Sequence, residues 1–326
     1  GIKVVTTGAG NPGKYMKKWL EAGIKEDIMK KKLSLILAAA LTAGLALTGC
    51  GGSKTSDTTE NTAGAESETA AEVKGVDVDT IGYLVAALNA DIQTADVQKT
   101  SKDYEVPFNI FDRLVDVEVD ADGNSKIVPS LAENWDISDD GLEYTFHLRQ
   151  GVKFHNGNDF TAEDVAYTFH RMLTVESGVN TEFIDQIKGA DELLAGETDT
   201  LEGVEVVDDY TIKVTLKEPF AGFLASISSP GVSIYDSEAT EAAGDQFGMD
   251  PAVTVGTGPF EFSSWSFNNQ LVLTRNEDYW KGASGLPGVV IKIIPDTETQ
   301  SMMFESGELN TLALIPSQIR FGFPAP

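Results

Sequence analysis

Leu33 to Leu47 (LSLILAAALTAGLAL) is a run of fifteen uncharged residues, preceded by Met29 and three consecutive lysines, Lys30 to Lys32. As a helix it would reach about 22 Å, short of the ~30 Å hydrocarbon layer of a bilayer. A basic stretch, a short apolar stretch and a close of small residues have the pattern of a secretory signal rather than a membrane span. The run therefore divides the chain, and the folded body is expected after it. The charge divides at the same place. Residues 1–49 carry a net +5, and the whole chain carries −27, so the other 277 residues carry −32. Such a body has no surface for neutralising phosphates, which excludes nucleic acid as a partner. Apolar residues at 41% and aromatics at 9% exclude wholesale disorder.

The apolar run ends in Leu47-Thr48-Gly49-Cys50, and Cys50 is the chain's single cysteine. One thiol builds neither a disulfide framework nor a cysteine-rich metal site. The tetrapeptide resembles a bacterial lipobox. That resemblance implies residues 29–49 as a lipoprotein signal peptide, Cys50 as the lipidated new N-terminus, and a lipid-anchored protein outside the cytoplasm. Residues 51–72 contain no large apolar side chain, so 50–75 reads as a flexible tether.

Residues 1–28 have a pattern of their own. IKVVTT (2–7) reads as a strand, GAGNPGK (8–14) as a glycine-rich loop and YMKKWLEAGI (15–24) as an amphipathic helix. Gly8, Gly10 and Gly13 satisfy G-x-G-x-x-G, but Tyr15 stands where a phosphate loop needs Ser or Thr. A dinucleotide fold needs an acidic residue about twenty positions on, and that region here is the apolar run. Over about residues 1–25 the segment resembles a strand–loop–helix unit of the FMN-dependent nitronate monooxygenase and enoyl reductase family. One such unit cannot close a barrel. Residues 1–28 are expected to be an upstream fragment outside the mature protein; an FMN oxidoreductase fusion is the alternative.

The body begins with a strand within 76–88 and continues through FNIFDRLVDVEV (108–119) into Asp120-Ala121-Asp122-Gly123, a turn signal. As a calcium loop with Gly123 at position 6 it would put Pro129 at position 12, where glutamate is needed, so a hairpin is expected. Leu142, Tyr144, Phe146 and Leu148 alternate with polar residues, the mark of a half-buried strand. Thr161 to Asp164 opens a helix with a capping-box pattern, and Val165, Phe169 and Met172 form its apolar stripe. Further strands are expected at 210–217, 270–275 and 289–294. Strands and helices mix without a regular βαβ spacing, so the class is α/β, mixed α+β, with more than one lobe.

No catalytic constellation emerges. His147, His155 and His170 lack metal-ligand spacing and read as structural, and G-x-S-x-G is absent. No enzyme, metal or cofactor is expected.

The stretch IVPSLAENWDISDDGLEYTFHLRQGVKFHNGNDFTAEDVAYTF (127–169) is similar to the signature region of family 5 extracellular solute-binding proteins of ABC importers. Further segments fit in order: VVDDYTIKVTLKEPF (206–220), GTGPFEFSSW (256–265), LTRNEDYWKG (273–282) and IPDTETQSMMFESGELN (294–310), the last ending in Asn310 where the family usually has Asp. The resemblance implies a bilobal, type II periplasmic-binding-protein-like fold, in which residues 76–110 and 200–295 form the first lobe and 111–199 an extra subdomain. Residues 296–326 would start a second lobe that is largely missing, so weak or no binding is expected of the chain as written. Implied partners are a peptide or other small solute, a membrane permease with its ATPase, and the membrane through lipid; the implied state is a monomer. Candidate cleft residues are Leu88, Asn89, Phe108, Asn109, Ser229, Gly256, Thr257 and Trp265. A surface adhesive lipoprotein without a small ligand is a further alternative.

Overall fold

The structure, a computed structural model, describes residues 73–312 except Asp77 and Ala121. The leader, Cys50, the tether and the glycine-rich loop at residues 8–14 lie outside the described residues. In chain order the strands are β1 (Val73–Gly75), β2 (Leu84–Leu88), β3 (Val115–Val119), β4 (Ser125–Pro129), β5 (Ala132–Ile137), β6 (Glu143–Leu148), β7 (Val204–Asp208), β8 (Thr211–Thr215), β9 (Phe260–Ser266), β10 (Gln270–Arg275) and β11 (Gly288–Ile293). The helices are α1 (Pro107–Ile110), α2 (Ala162–Thr174), α3 (Ala190–Leu194), α4 (Phe223–Ile227), α5 (Ser237–Ala243) and α6 (Thr297–Ser306).

Two hydrophobic cores organise them. The first lies on a five-stranded sheet of order β1-β9-β10-β11-β2. Its pairings are antiparallel except β11 with β2, which run parallel. Phe111, Tyr235, Phe247, Phe260 and Trp265 fill this core, and Phe111, Tyr235 and Phe247 touch one another with ring centroids 4.7 to 6.1 Å apart.

The second core lies on an antiparallel four-stranded sheet of order β5-β6-β8-β7. The alternation read from the sequence appears as burial: Tyr144, Phe146 and Leu148 point inward, as do Ile212 and Val214 opposite them. Helix α2 covers this face with Val165, Phe169 and Met172. It starts where the capping box placed it, with the Thr161 N–H donated to the Asp164 carboxylate at 2.9 Å. Strands β3 and β4 form a separate antiparallel hairpin. Its turn is closed by Asp120, whose Oδ1 accepts the N–H groups of Asp122 and Asn124, both at 2.9 Å. The carboxylate is engaged by its own backbone, as in an Asx turn.

The expected division at 199/200 is corrected. Strand β8 pairs with β6 and β7 pairs with β8, and Leu201, Ile212, Val214, Leu216 and Phe223 belong to the second core. The chain leaves the first core after Phe111 and returns at Tyr235. The inserted unit therefore runs to about residue 234. The two crossings touch, with the Ile234 N–H donated to the Asp112 carbonyl at 2.9 Å. Beyond residue 296, the expected start of a second lobe, the described part of the chain keeps contact with the first sheet. Asn310 donates its N–H to the Val85 carbonyl at 2.8 Å and accepts the Val85 N–H at 2.7 Å, so the chain through α6 stays against β2.

Candidate functional site

In sheets with parallel strands, ligands collect beyond the carboxyl ends of those strands. Here β2 and β11 are the parallel pair, and both end on the same side, with the Ile294 N–H donated to the Leu88 carbonyl at 2.8 Å. The segment 89–106 leaves β2 from that end. Leu88 is half-buried against the first core, and Asn89 is exposed. Beyond them Asp96 to Gln98 are buried, Ser101 and Lys102 form an exposed tip, and the chain enters α1.

Phe108 and Asn109 lie on α1, both half-buried. The Phe108 ring meets the edge of Tyr104 at 6.4 Å and lies over the Arg113 guanidinium at 5.2 Å. Asn109 donates to the Glu105 carbonyl at 2.6 Å, which closes the turn before the helix. Leu88, Asn89, Phe108 and Asn109 thus flank one loop. Ser229 caps a short 3-10 turn, accepting the Gly231 N–H at 3.3 Å, and Gly231 packs against Asn180 and Phe183.

Three expected site residues are engaged by the protein's own groups. Gly256 offers no free backbone donor. Its N–H goes to His155 Nδ1 at 3.2 Å, and its carbonyl accepts the His155 N–H at 2.9 Å. A Cβ there would stand 1.9 Å from the Ile110 carbonyl, so glycine is required by the close approach of α1. Thr257 is fully buried and donates to the Asp112 carboxylate at 3.1 Å. Trp265 is 1% exposed and belongs to the core. Its indole N–H reaches both oxygens of Asp91 at 3.1 Å, and Asp91 also accepts the Asn268 N–H at 2.7 Å. Trp265 fixes the start of the loop after β2 rather than presenting a face to a ligand.

Polar residues that are not among the expected site residues hold these elements together. The Asp112 carboxylate also accepts from Tyr279 at 3.1 Å and from the Trp280 indole at 2.8 Å, with Lys281 3.7 Å away. Burial and the Asp112 charge push the Tyr279 hydroxyl up, so it serves as a donor. His155 Nε2 donates to the Gly258 carbonyl at 3.0 Å, while Nδ1 accepts from Gly256. The imidazole is thereby held neutral, and burial brings its pKa down to about 4. His147 and His170 are paired too, with Asp136 at 2.9 Å and the Asp199 carbonyl at 3.0 Å.

Among the described residues no group of three His, Cys, Asp or Glu side chains is placed to hold a metal ion. No helix among them is long and apolar enough to cross a membrane. The arrangement places backbone, amide and aromatic groups around the loop after β2.

Comparison with known proteins bears on the same elements. Residues 126–321 match the family described as bacterial extracellular solute-binding proteins, family 5 Middle. The chain is 34% identical over 300 residues to heme-binding protein A of Haemophilus influenzae, covering 89% of this chain and 51% of the relative. It is 34% identical over 207 residues to di/tripeptide-binding protein 2 of Pseudomonas aeruginosa, covering 60% of this chain and 38% of the relative. Among solved structures it is similar to DppA of Helicobacter pylori in complex with the peptide STSA. That similarity has a TM-score of 0.60 and 32% identity, with 70% of this chain and 46% of that one covered. It is likewise similar to the substrate-binding domain of an oligopeptide ABC transporter from Bacillus anthracis, with a TM-score of 0.64, 27% identity, and 72% and 45% covered. The chain spans about half, or less, of the length of these relatives. With its mixed α/β architecture and a family match over most of its length, this chain belongs to the family 5 bacterial extracellular solute-binding proteins.

Proposed function

We propose that this chain is the solute-capturing component of an ABC importer, tethered outside the cytoplasm through lipid on Cys50, acting as a monomer and taking peptides. The family match carries the reading: it covers the inserted unit from residue 126 onward together with β9, β10 and β11 of the first sheet. The chemistry of that loop agrees. A peptide needs main-chain hydrogen bonds and roomy contacts for varied side chains. The exposed Asn89, the half-buried Asn109 and the Tyr104–Phe108 pair offer amide and aromatic groups for this. No bond is made or broken by this component, and delivery is to a membrane permease and its ATPase.

The peptide-binding names and the bound peptide of the relatives support this ligand class. The Haemophilus influenzae relative favours haem as a second reading. The test is a thermal-shift series on the protein as its gene encodes it, with a synthetic tripeptide set in one arm and hemin in the other. A ligand at a hundred times its Kd stabilises by about 2.7 kcal/mol and raises Tm by several degrees. A shift with tripeptides supports the proposal. A shift with hemin alone replaces the ligand class, and no shift in either arm refutes solute capture. Mass spectrometry of the membrane-extracted protein should find a diacylated Cys50; an unmodified thiol would refute the anchor.

A further inference from the structure

The loop after β2 has turns of its own, with Asp96 Oδ1 accepting the Gln98 N–H at 3.0 Å and Thr100 Oγ1 donating to the Lys102 carbonyl at 2.9 Å, and it is braced further from outside. Its buried part runs from Thr94 to Thr100, and its partners come largely from the inserted unit. Arg171, on α2, grips Asp96 with Nη2 to Oδ2 at 2.7 Å and Nη1 to Oδ1 at 3.3 Å, and also donates to Gln98 Oε1 at 2.5 Å. Gln98 donates its side-chain amide to the Thr168 carbonyl of α2 at 2.9 Å, and its own carbonyl accepts the Val179 N–H at 2.8 Å.

Asn180 completes the contact. It sits in the left-handed region with φ of 67°, and its amide nitrogen lies 2.7 Å from the Val97 carbonyl, 2.9 Å from that of Thr100 and 3.1 Å from the Tyr104 hydroxyl. Both Asn180 and Asp96 are at least nine-tenths buried. Buried groups of this kind hold position because leaving any one unpaired costs the full desolvation of that group. From 70 to 83 residues of sequence separate the two sides of these bonds. The buried part of the loop is therefore braced by the inserted unit, alongside Tyr235 of the first core and Gly248, which bond Asp96, Val97 and Ala95.

We infer that the inserted unit is the template of the recognition loop: Arg171 and Asn180 are positioning residues that set ligand affinity through the loop after β2 without touching the ligand. This rests on the solute-binding reading above for the ligand, but not for the loop. Two variants separate the amide from backbone strain and from loss of charge. Asn180→Gly keeps the left-handed backbone and removes the amide. Arg171→Lys keeps the charge and removes the two-pronged grip.

Amide hydrogen exchange and tripeptide affinity are measured on the protein as its gene encodes it. Both variants are expected to speed exchange at Val97, Gln98 and Lys99 about tenfold, the effect of losing one or two buried hydrogen bonds, with β6 and β10 unchanged. Both are expected to weaken the tightest tripeptide of a synthetic set by about tenfold. Unchanged exchange at Val97 to Lys99 would overturn the template. Faster exchange with unchanged affinity would overturn the role in recognition. A wild type that binds no tripeptide overturns the reading of function, and the exchange result then decides the template on its own.

Discussion

Replacing His155 by Asn should remove a definite part of the protein's pH dependence. His155 sits between the inserted unit and the first core, accepting from Gly256 at Nδ1 and donating from Nε2 to the Gly258 carbonyl. Protonation would set an Nδ1 proton against the Gly256 N–H, donor to donor. Burial brings the folded pKa down to about 4, against the ordinary value of 6.5, with the Gly258 carbonyl and Asp112 pulling weakly the other way. Between those values the unfolded chain binds the proton and the folded chain does not, so stability rises with pH across that window. The stability is fully present above about 6.5 and is lost as pH falls toward 4. The gap corresponds to roughly 3 kcal/mol. The carboxylates of Asp116, Asp120, Asp140 and Asp296, all held below their ordinary values, add losses at lower pH. They are common to both proteins and cancel in the difference. The assay is urea unfolding at intervals from pH 7 to pH 4, read from the midpoint at constant slope. His155→Asn keeps an acceptor for Gly256 and loses the Gly258 bond, so it should be less stable by about 1 kcal/mol at pH 7. The two curves should converge and cross as pH falls. Parallel curves would refute the buried, neutral imidazole.

The other outcomes concern packing and capping. Gly256→Ala drives a methyl against the Ile110 carbonyl, where backbone must move, and should cost about 3 kcal/mol or more in urea unfolding; Gly282→Ala, with φ of 92° and open space around it, should cost about 1 to 2 kcal/mol. Trp265→Phe removes a donor to the buried face of Asp91 and should cost about 2 kcal/mol or more, seen as a lower Tm; unchanged stability would return Trp265 to the list of ligand contacts. Thr161→Ala removes one half of the α2 capping box and should cost about 1 kcal/mol by the same measurement.

Local chemistry made much of this fold legible. The alternation at 142–148, the Asp120 turn and the Thr161 cap are each decided within a few residues, and each forms where its residues direct. The boundary of the inserted unit was not legible, because β7 and β8 alternate in the same way whichever sheet they join. Only the pairing of β8 with β6, some seventy residues away, decides it. Gly256-Thr257-Gly258 reads alike whether its amides face a ligand or a neighbouring strand; the approach of Ile110 settles that, and no local pattern reports it. Trp265 shows the same ambiguity. An aromatic beside glycines suits a cleft or a core, and the Asp91 partner lies 174 residues away. Asn180 did carry a signal, since Asn is among the residues that tolerate the left-handed region. Nothing in the sequence said what its amide would hold.

The placement of the two crossings constrains how such a molecule can move. Asp112 lies on the outgoing crossing and gives its carbonyl to Ile234 on the return. Its carboxylate gathers Thr257, Tyr279 and Trp280 from the far side of the first sheet's connections. His155 binds the inserted unit to Gly256 and Gly258 on either side of Thr257, and Arg171 with Asn180 binds it to the loop after β2. A rotation of the inserted unit about its two-chain stalk would break all three sets together, leaving buried donors and a buried carboxylate unpaired at one or more kcal/mol apiece. A hinge requires a junction where few bonds change, and this junction is the opposite. Any closing motion that grips a ligand is therefore a movement of another element against this block as a whole, with the loop after β2 arriving already shaped.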